Sequence, residues 1–262
     1  MTVLVTEDDL VHALRAAGAS DGDVLLVHCS LSAFGTVIGG EQAVIGALRR
    51  TVGSSGTIVM PAQSWQLCDP DYLADPALDA EARDLVRRTL PPFDPRLTPT
   101  RTMGSVAELF RTLPGVRRSP HPHRSFSAWG AAADAVAETQ PFDDPFGESS
   151  PLAVLHGLRA KVVLLGVGYD SCTALHLAEV RSGRARGRTV PNGAPVRVDG
   201  ERTWVTWDEP AVEDADFPAI GEAFERATGA APAPVGSSVC RVVPLADLVD
   251  FAIMAMHPDS EI

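Results

Sequence analysis

Apolar residues along the chain alternate between helical spacing and short unbroken runs, and this change of period sets the order of elements. Leu10, Val11 and Leu14 place a helix over 7–17, with Gly18 suited to end it. The run at 23–28 then reads as a buried strand, Val44, Ile45 and Leu48 carry a helix over 41–52, and 57–60 reads as a second strand. Between 61 and 102 the prolines crowd (Pro61, Pro70, Pro76, Pro91, Pro92, Pro95, Pro99), which predicts a long ordered loop with one helix over 80–89. Further helices are predicted over 103–113, 173–180, 217–227 and 246–256, and a clear strand over 161–168. Residues 196–207 alternate around Asp199-Gly200, a strong hairpin signal, whereas 118–126 reads as an extended segment leading into a strand. Strands interleaved with helices imply an α/β class: one layered α/β/α domain over 1–262, with a central mixed sheet and long ordered loops.

The chain has 262 residues, and 22 Lys and Arg against 34 Asp and Glu give a net charge of −12. That balance argues against a nucleic-acid partner, because phosphate recognition needs a basic footprint. Apolar residues at 45% and charged residues at 21% match a folded globular protein. No stretch approaches the length of a membrane span and the start lacks a basic leader region, so no membrane association and a cytoplasmic location are expected. The four cysteines, Cys29, Cys68, Cys172 and Cys240, form no CxxC pair, which fits reduced thiols and no metal site.

Three short patterns carry little chemistry. Gly18-Ala-Ser-Asp-Gly22 has the spacing of a nucleophile elbow but runs from helix to strand, the reverse of the required order. Gly166-Val-Gly168 follows a strand yet lacks the third glycine of a dinucleotide loop. His121 and His123 in an extended segment would point to opposite sides, so they do not form a metal pair. The segment from Asp170 to Glu179 is richer. On a helix starting near Ser171, Thr173, His176 and Glu179 share roughly one face, and a histidine oriented by a carboxylate is suited to accept a proton. The same spacing also fits a core histidine held in a polar pocket.

Six blocks occur in order along the chain: Val27-His-Cys-Ser-Leu-Ser-Ala-Phe-Gly35, Thr57-Ile-Val-Met-Pro61, Arg101-Thr-Met-Gly104, Arg118-Ser-Pro-His-Pro-His-Arg-Ser-Phe126, Phe146-Gly-Glu-Ser-Ser-Pro-Leu152 and Thr173-Ala-Leu-His-Leu-Ala-Glu179. Together they resemble the aminoglycoside 3-N-acetyltransferase family, whose antibiotic N-acetyltransferase fold is unrelated to the GCN5-like acetyltransferases. It implies acetyl-CoA as co-substrate, no metal, and a 2-deoxystreptamine aminoglycoside acylated on its 3-amino group, which confers antibiotic resistance. His176 would be the general base, with Thr173 and Glu179 as helical neighbours, and transfer would be direct in a ternary complex. Ser30, Ser32 and Phe34 resemble the loop that contacts the coenzyme, and His121, Ser125 and Phe126 match a segment of the same cleft. Asp208, Glu213, Asp214 and Asp216 fall where the family carries carboxylates that bind the cationic sugar or orient the histidine, so Glu213 is a candidate for either role. Asp69 in the proline-rich loop is a further substrate-binding candidate. An acidic cleft would concentrate a polycation, in keeping with the net charge. Thr189 and Phe146 depart from the family's aromatic and tyrosine at those positions, which bears on the acceptor more than on the reaction. A relative acylating another amine, and a coenzyme-binding relative without catalysis, are the competing readings; monomer and homodimer both remain open.

Overall fold

The structure, a computed structural model, describes residues 2–257. The strands are β1 (Leu4–Val5), β2 (Val24–Cys29), β3 (Thr36–Val37), β4 (Thr57–Pro61), β5 (Arg117–Arg118), β6 (Phe126–Gly130), β7 (Lys161–Leu165), β8 (Thr189–Val198), β9 (Glu201–Pro210), β10 (Ala233–Val235) and β11 (Ser238–Pro244). The helices are α1 (Glu7–Ala16), α2 (Gly40–Val52), α3 (Pro70–Leu73), α4 (Ala80–Thr89), α5 (Gly104–Arg111), α6 (Ala133–Ala137), α7 (Pro151–Gly157), α8 (Leu175–Ser182), α9 (Phe217–Thr228) and α10 (Leu245–Ala255).

Seven strands form a mixed sheet in the order β10-β11-β7-β2-β4-β6-β5. Its centre, β7-β2-β4, is parallel, and the pairs flanking it are antiparallel. Because successive side chains on a strand point to opposite faces, the central runs feed two cores. Leu26, Val59, Val162 and Leu164 pack with α6, α7, α8, α9 and α10, whereas Leu25, Val27, Ile58, Met60, Val163 and Leu165 pack with α1, α2 and α5. Strands buried on both faces read as continuous apolar runs, which is how β2, β4 and β7 appear in the sequence. Both helical layers are therefore explained by one sheet, and the α/β/α architecture with a central mixed sheet follows. Among the described residues no helix is long and apolar enough to cross a membrane.

Among the described residues the β8–β9 hairpin pairs only with itself. Its turn residues Asp199 and Gly200 both have positive φ, 51° and 84°, as a two-residue turn matched to strand twist requires. It leans on the long proline-rich loop through Asp69 N–H to Asn192 Oδ1 (3.1 Å), Phe93 N–H to Pro195 O (2.8 Å) and Arg202 Nε to Leu90 O (2.8 Å). Loop and hairpin together build one wall over the sheet.

Three local expectations change. The helix predicted from 173 starts at Leu175, because a tight 3-10 turn over Tyr169–Ser171 and a non-helical Cys172 (ψ 87°) precede it. The segment predicted as extended from 118 turns back at 122–124 before β6. Helices α6 and α7 have no counterpart in the sequence reading, although Ser150 followed by Pro151 is a helix-start signal, and Ser150 Oγ does accept from Ala153 N–H (3.5 Å).

Candidate active site

A cleft of about 1010 Å³ opens where the parallel strands β2, β4 and β7 end, lined by residues from Val27 to Ser32, Met60, Pro61 and Val167. Ligands in open α/β sheets bind at such carboxyl ends, where strand order reverses. Thr102 to Ser105 and the Asp170–Thr173 turn line further parts of it, and Trp65, Tyr72 and Arg124 come from the wall.

His176 lines this cleft from α8, and Glu179, one turn further on, lies behind it with 1% exposure. The Nδ1 of His176 is 2.6 Å from Glu179 Oε2. The other carboxylate oxygen, Oε1, accepts the backbone N–H of Glu213 at 2.8 Å. Phe146 stacks on the imidazole at 4.7 Å and 18°, and Phe217 closes its other side at 5.0 Å. The ring is thus held by a carboxylate and two aromatic walls, and its remaining nitrogen, Nε2, is the one left for chemistry. Thr173 lines the cleft ahead of the helix, and its carbonyl accepts the His176 N–H (3.1 Å). Cys172 is also in the lining, but burial pushes its thiol up to about 12.

The loop after β2 places Ser30 and Ser32 in the lining with their hydroxyls 3.4 Å apart, while Phe34 is fully buried in the core beneath. His121, Ser125 and Phe126 are buried outside the lining. Instead of diverging, His121 and His123 lie with ring centroids 5.6 Å apart, because the chain turns there; His121 Nδ1 accepts the N–H of His123 (3.0 Å) and of Arg124 (3.1 Å). Both rings pack against Trp207. Desolvation holds both neutral, His121 well below its ordinary value and His123 down to about 4. Ser125 Oγ donates to Ala62 O (2.8 Å) and accepts from Arg118 Nε (2.9 Å), and Phe126 is core. Apart from Arg124, which reaches the lining, this segment supports the wall rather than facing the cleft.

The carboxylates divide in the same way. Asp69 is gripped by Arg87 through both oxygens (3.0 and 2.7 Å) and caps α3. Asp216 pairs with Arg184 at 2.6 Å, Glu213 pairs with Arg188, and Asp208 is exposed outside the lining. Of the expected acidic run only Asp214 lines the cleft, where it is joined by Asp170 from the turn before α8. Sequence reasoning also missed a buried charge pair in the wall: Arg124 meets Glu209 at 2.8 Å, with both side chains under 5% exposed, and stacks over Trp65 at 4.2 Å. Glu209 accepts in addition from Trp207 Nε1 (3.1 Å) and Asn192 Nδ2 (3.3 Å). Nothing in the local spacing of Arg124 or Glu209 announces that they meet across 85 residues.

The family model for aminoglycoside 3-N-acetyltransferase matches residues 26–257. The chain is 40% identical over 248 residues to the SPbeta prophage-derived aminoglycoside N(3')-acetyltransferase-like protein YokD of Bacillus subtilis (strain 168), covering 94% of this chain and 90% of that one. The crystal structure of the YokD protein superposes with a TM-score of 0.90 over 97% of this chain and 93% of that one, at 39% identity. Aminoglycoside N(3)-acetyltransferase VII of Streptomyces paromomycinus is 38% identical over 268 residues, 97% of this chain and 92% of its own. A structure described as AAC-IIIb binary with CoASH matches at TM-score 0.85 and 30% identity, over 98% of this chain and 100% of that one. With matches of this extent, the chain belongs to the aminoglycoside 3-N-acetyltransferase family.

Proposed function

We propose that the enzyme moves the acetyl group of acetyl-CoA to the 3-amino group of a 2-deoxystreptamine aminoglycoside, with both substrates bound together and His176 as general base. The observation that carries this is the His176–Glu179 pair at the cleft surface: Glu179 accepts the Nδ1 proton, so Nε2 keeps a lone pair for the attacking amine. The amine nitrogen bonds to the thioester carbonyl carbon, its proton passes to Nε2, the C–S bond breaks, and the proton is returned to the departing thiolate. A cleft of about 1010 Å³ lies at the upper end of ordinary ligand pockets, roughly 300–1,000 Å³, as two co-bound substrates require.

Ser30, Ser32 and the Thr102–Ser105 stretch form the part of the lining suited to the coenzyme. Asp214 and Asp170 are the lining carboxylates, and they would attract the ammonium groups of the acceptor. A relay through Cys172 is disfavoured by its thiol being pushed to about 12, which leaves almost no thiolate at neutral pH. A thiol-release assay with acetyl-CoA and an aminoglycoside panel tests the activity. His176→Ala is expected to lower kcat by roughly 10² to 10⁴ while coenzyme binding is kept. Retention of more than half of the turnover would remove His176 from the reaction.

A further inference from the structure

His28 lies outside both the His176–Glu179 pair and the Arg124–Glu209 pair. It is the penultimate residue of β2, opposite Leu164 of β7 in register, and it lines the cleft. Strand parity fixes its face. Leu26, two residues earlier, packs in the core that holds α8, whereas Val27 packs in the opposite one. His28 therefore looks toward the helix that carries His176, at the end of the strand where the cleft begins. It is 8% exposed, and of its ring nitrogens only Nε2 is both sealed from solvent and without a partner. Orphaned buried nitrogens are uncommon, and this one decides which ring nitrogen carries the proton. Burial, and then the neighbouring His176, push His28 down to about 3, so the ring is neutral across the working range.

From this position we infer that His28 is a catalytic residue of the acetyl transfer: its neutral imidazole donates a hydrogen bond to the thioester carbonyl oxygen as that oxygen gains negative charge. The inference rests on the proposed acetyl-transfer reading. A sealed nitrogen is better left as a lone pair than as an unpaired N–H, which keeps the proton on Nδ1, the ring nitrogen that is not among the sealed, unpartnered atoms. A neutral donor also suits this site for an electrostatic reason. A cation here would oppose both the imidazolium formed at His176 and the ammonium groups of the acceptor, and a neutral imidazole stabilises the oxyanion without that opposition. No bond to His28 forms or breaks, and its proton stays on the ring.

The test uses three variants of the full chain. Asn at position 28 offers an amide N–H near the place of Nδ1, Gln offers one near Nε2, and Leu offers none. His28→Leu and His28→Gln are expected to lower kcat by roughly 10² to 10³, the usual effect of losing one oxyanion donor, with KM for acetyl-CoA and for the aminoglycoside within about threefold of wild type. His28→Asn should recover to within about tenfold of wild-type kcat. A purely structural role would not separate Asn from Gln, nor kcat from KM. If the Leu variant fails to fold, the comparison of Asn with Gln still decides. Equal kcat in Asn and Gln, or more than a third of wild-type kcat in Leu, overturns the assignment. Wild-type enzyme that releases no thiol with any aminoglycoside overturns the acetyl-transfer reading and this role together, whereas active wild type with equally active variants overturns this role alone.

Discussion

The sharpest consequence of the site concerns Glu179→Gln. The carboxylate has two hydrogen-bond partners, the His176 ring at 2.6 Å and the Glu213 backbone N–H at 2.8 Å. The backbone N–H can only donate, so a glutamine must turn its carbonyl oxygen toward Glu213 and its amide N–H₂ toward His176. The amide then donates to Nδ1, and the ring proton is driven to Nε2, the nitrogen that the proposed general base needs empty to accept from the amine. The same carboxylate-to-amide exchange in hydrolase triads lowers kcat by about 10⁴ through the wrong tautomer, about 5.4 kcal/mol at roughly 1.36 kcal/mol per tenfold. The stability cost should be small by comparison. The Glu213 bond is retained and a charge-assisted bond is replaced by a neutral one, a change of about 1 to 2 kcal/mol, or a Tm decrease of a few degrees at roughly 2–4 °C per kcal/mol. The assay is steady-state thiol release together with ¹⁵N NMR of the His176 tautomer and a thermal melt. A folded variant with kcat within threefold of wild type, or with the Nδ1–H tautomer intact, refutes the orienting role of Glu179.

Glu209→Gln should leave the Arg124 guanidinium buried without its counter-charge and destabilise the fold by about 3–5 kcal/mol, read as a Tm decrease of roughly 6–20 °C; a change below about 3 °C would show that Glu209 is dispensable. Acid should destabilise the protein early: His28 and His123 are held down to about 3 and about 4 against an ordinary 6.5, so the unfolded chain binds protons that the native one refuses, and stability falls as pH drops from 6.5 through those values. Each contributes a slope of about 1.4 kcal/mol per pH unit in that window, and urea melts with the same free energy at pH 5 and pH 7 would contradict it. Asp214→Asn should raise acceptor KM about three- to tenfold and flatten its salt dependence, while Asp208→Asn leaves both within about twofold; equal effects would place the acceptor elsewhere.

The parts of the fold that the sequence predicted well are those where one local signal suffices. The apolar runs of β2, β4 and β7 are long enough to be buried on both faces, α9 begins with a proline in its first turn, and α4 begins at the Asp79 cap. The hairpin was legible from Asp199-Gly200 alone, because few other pairs accept two positive φ angles. His176 and Glu179 meet because they stand three positions apart on one helix, a relation that spacing states directly. Thr173 shares the neighbourhood for a different reason: it stands before the helix and contributes through its carbonyl and its place in the lining. Where two residues meet only through tertiary structure, as Arg124 and Glu209 do, no spacing carried the information.

Charge shows this limit most clearly. A run of five acids near residues 208–216 and a net charge of −12 both suggest an acidic acceptor site, yet a carboxylate attracts a distant cation only in proportion to the charge its neighbours leave uncancelled. Arg184 and Arg188, from the basic stretch after α8, pair with Asp216 and Glu213, and Arg124 pairs with Glu209. The run thereby becomes a clasp that holds the segment before α9 against the end of α8, and through the Glu213 backbone it fixes Glu179 behind the histidine. What remains facing the cleft is Asp214, with Asp170 from the turn before α8. The acids that looked like a binding surface are mostly paired with arginines around the segment that holds Glu179 behind His176, and the two carboxylates that line the cleft are ones that no arginine among the described residues pairs with, which is why the proposed acceptor contact falls to them.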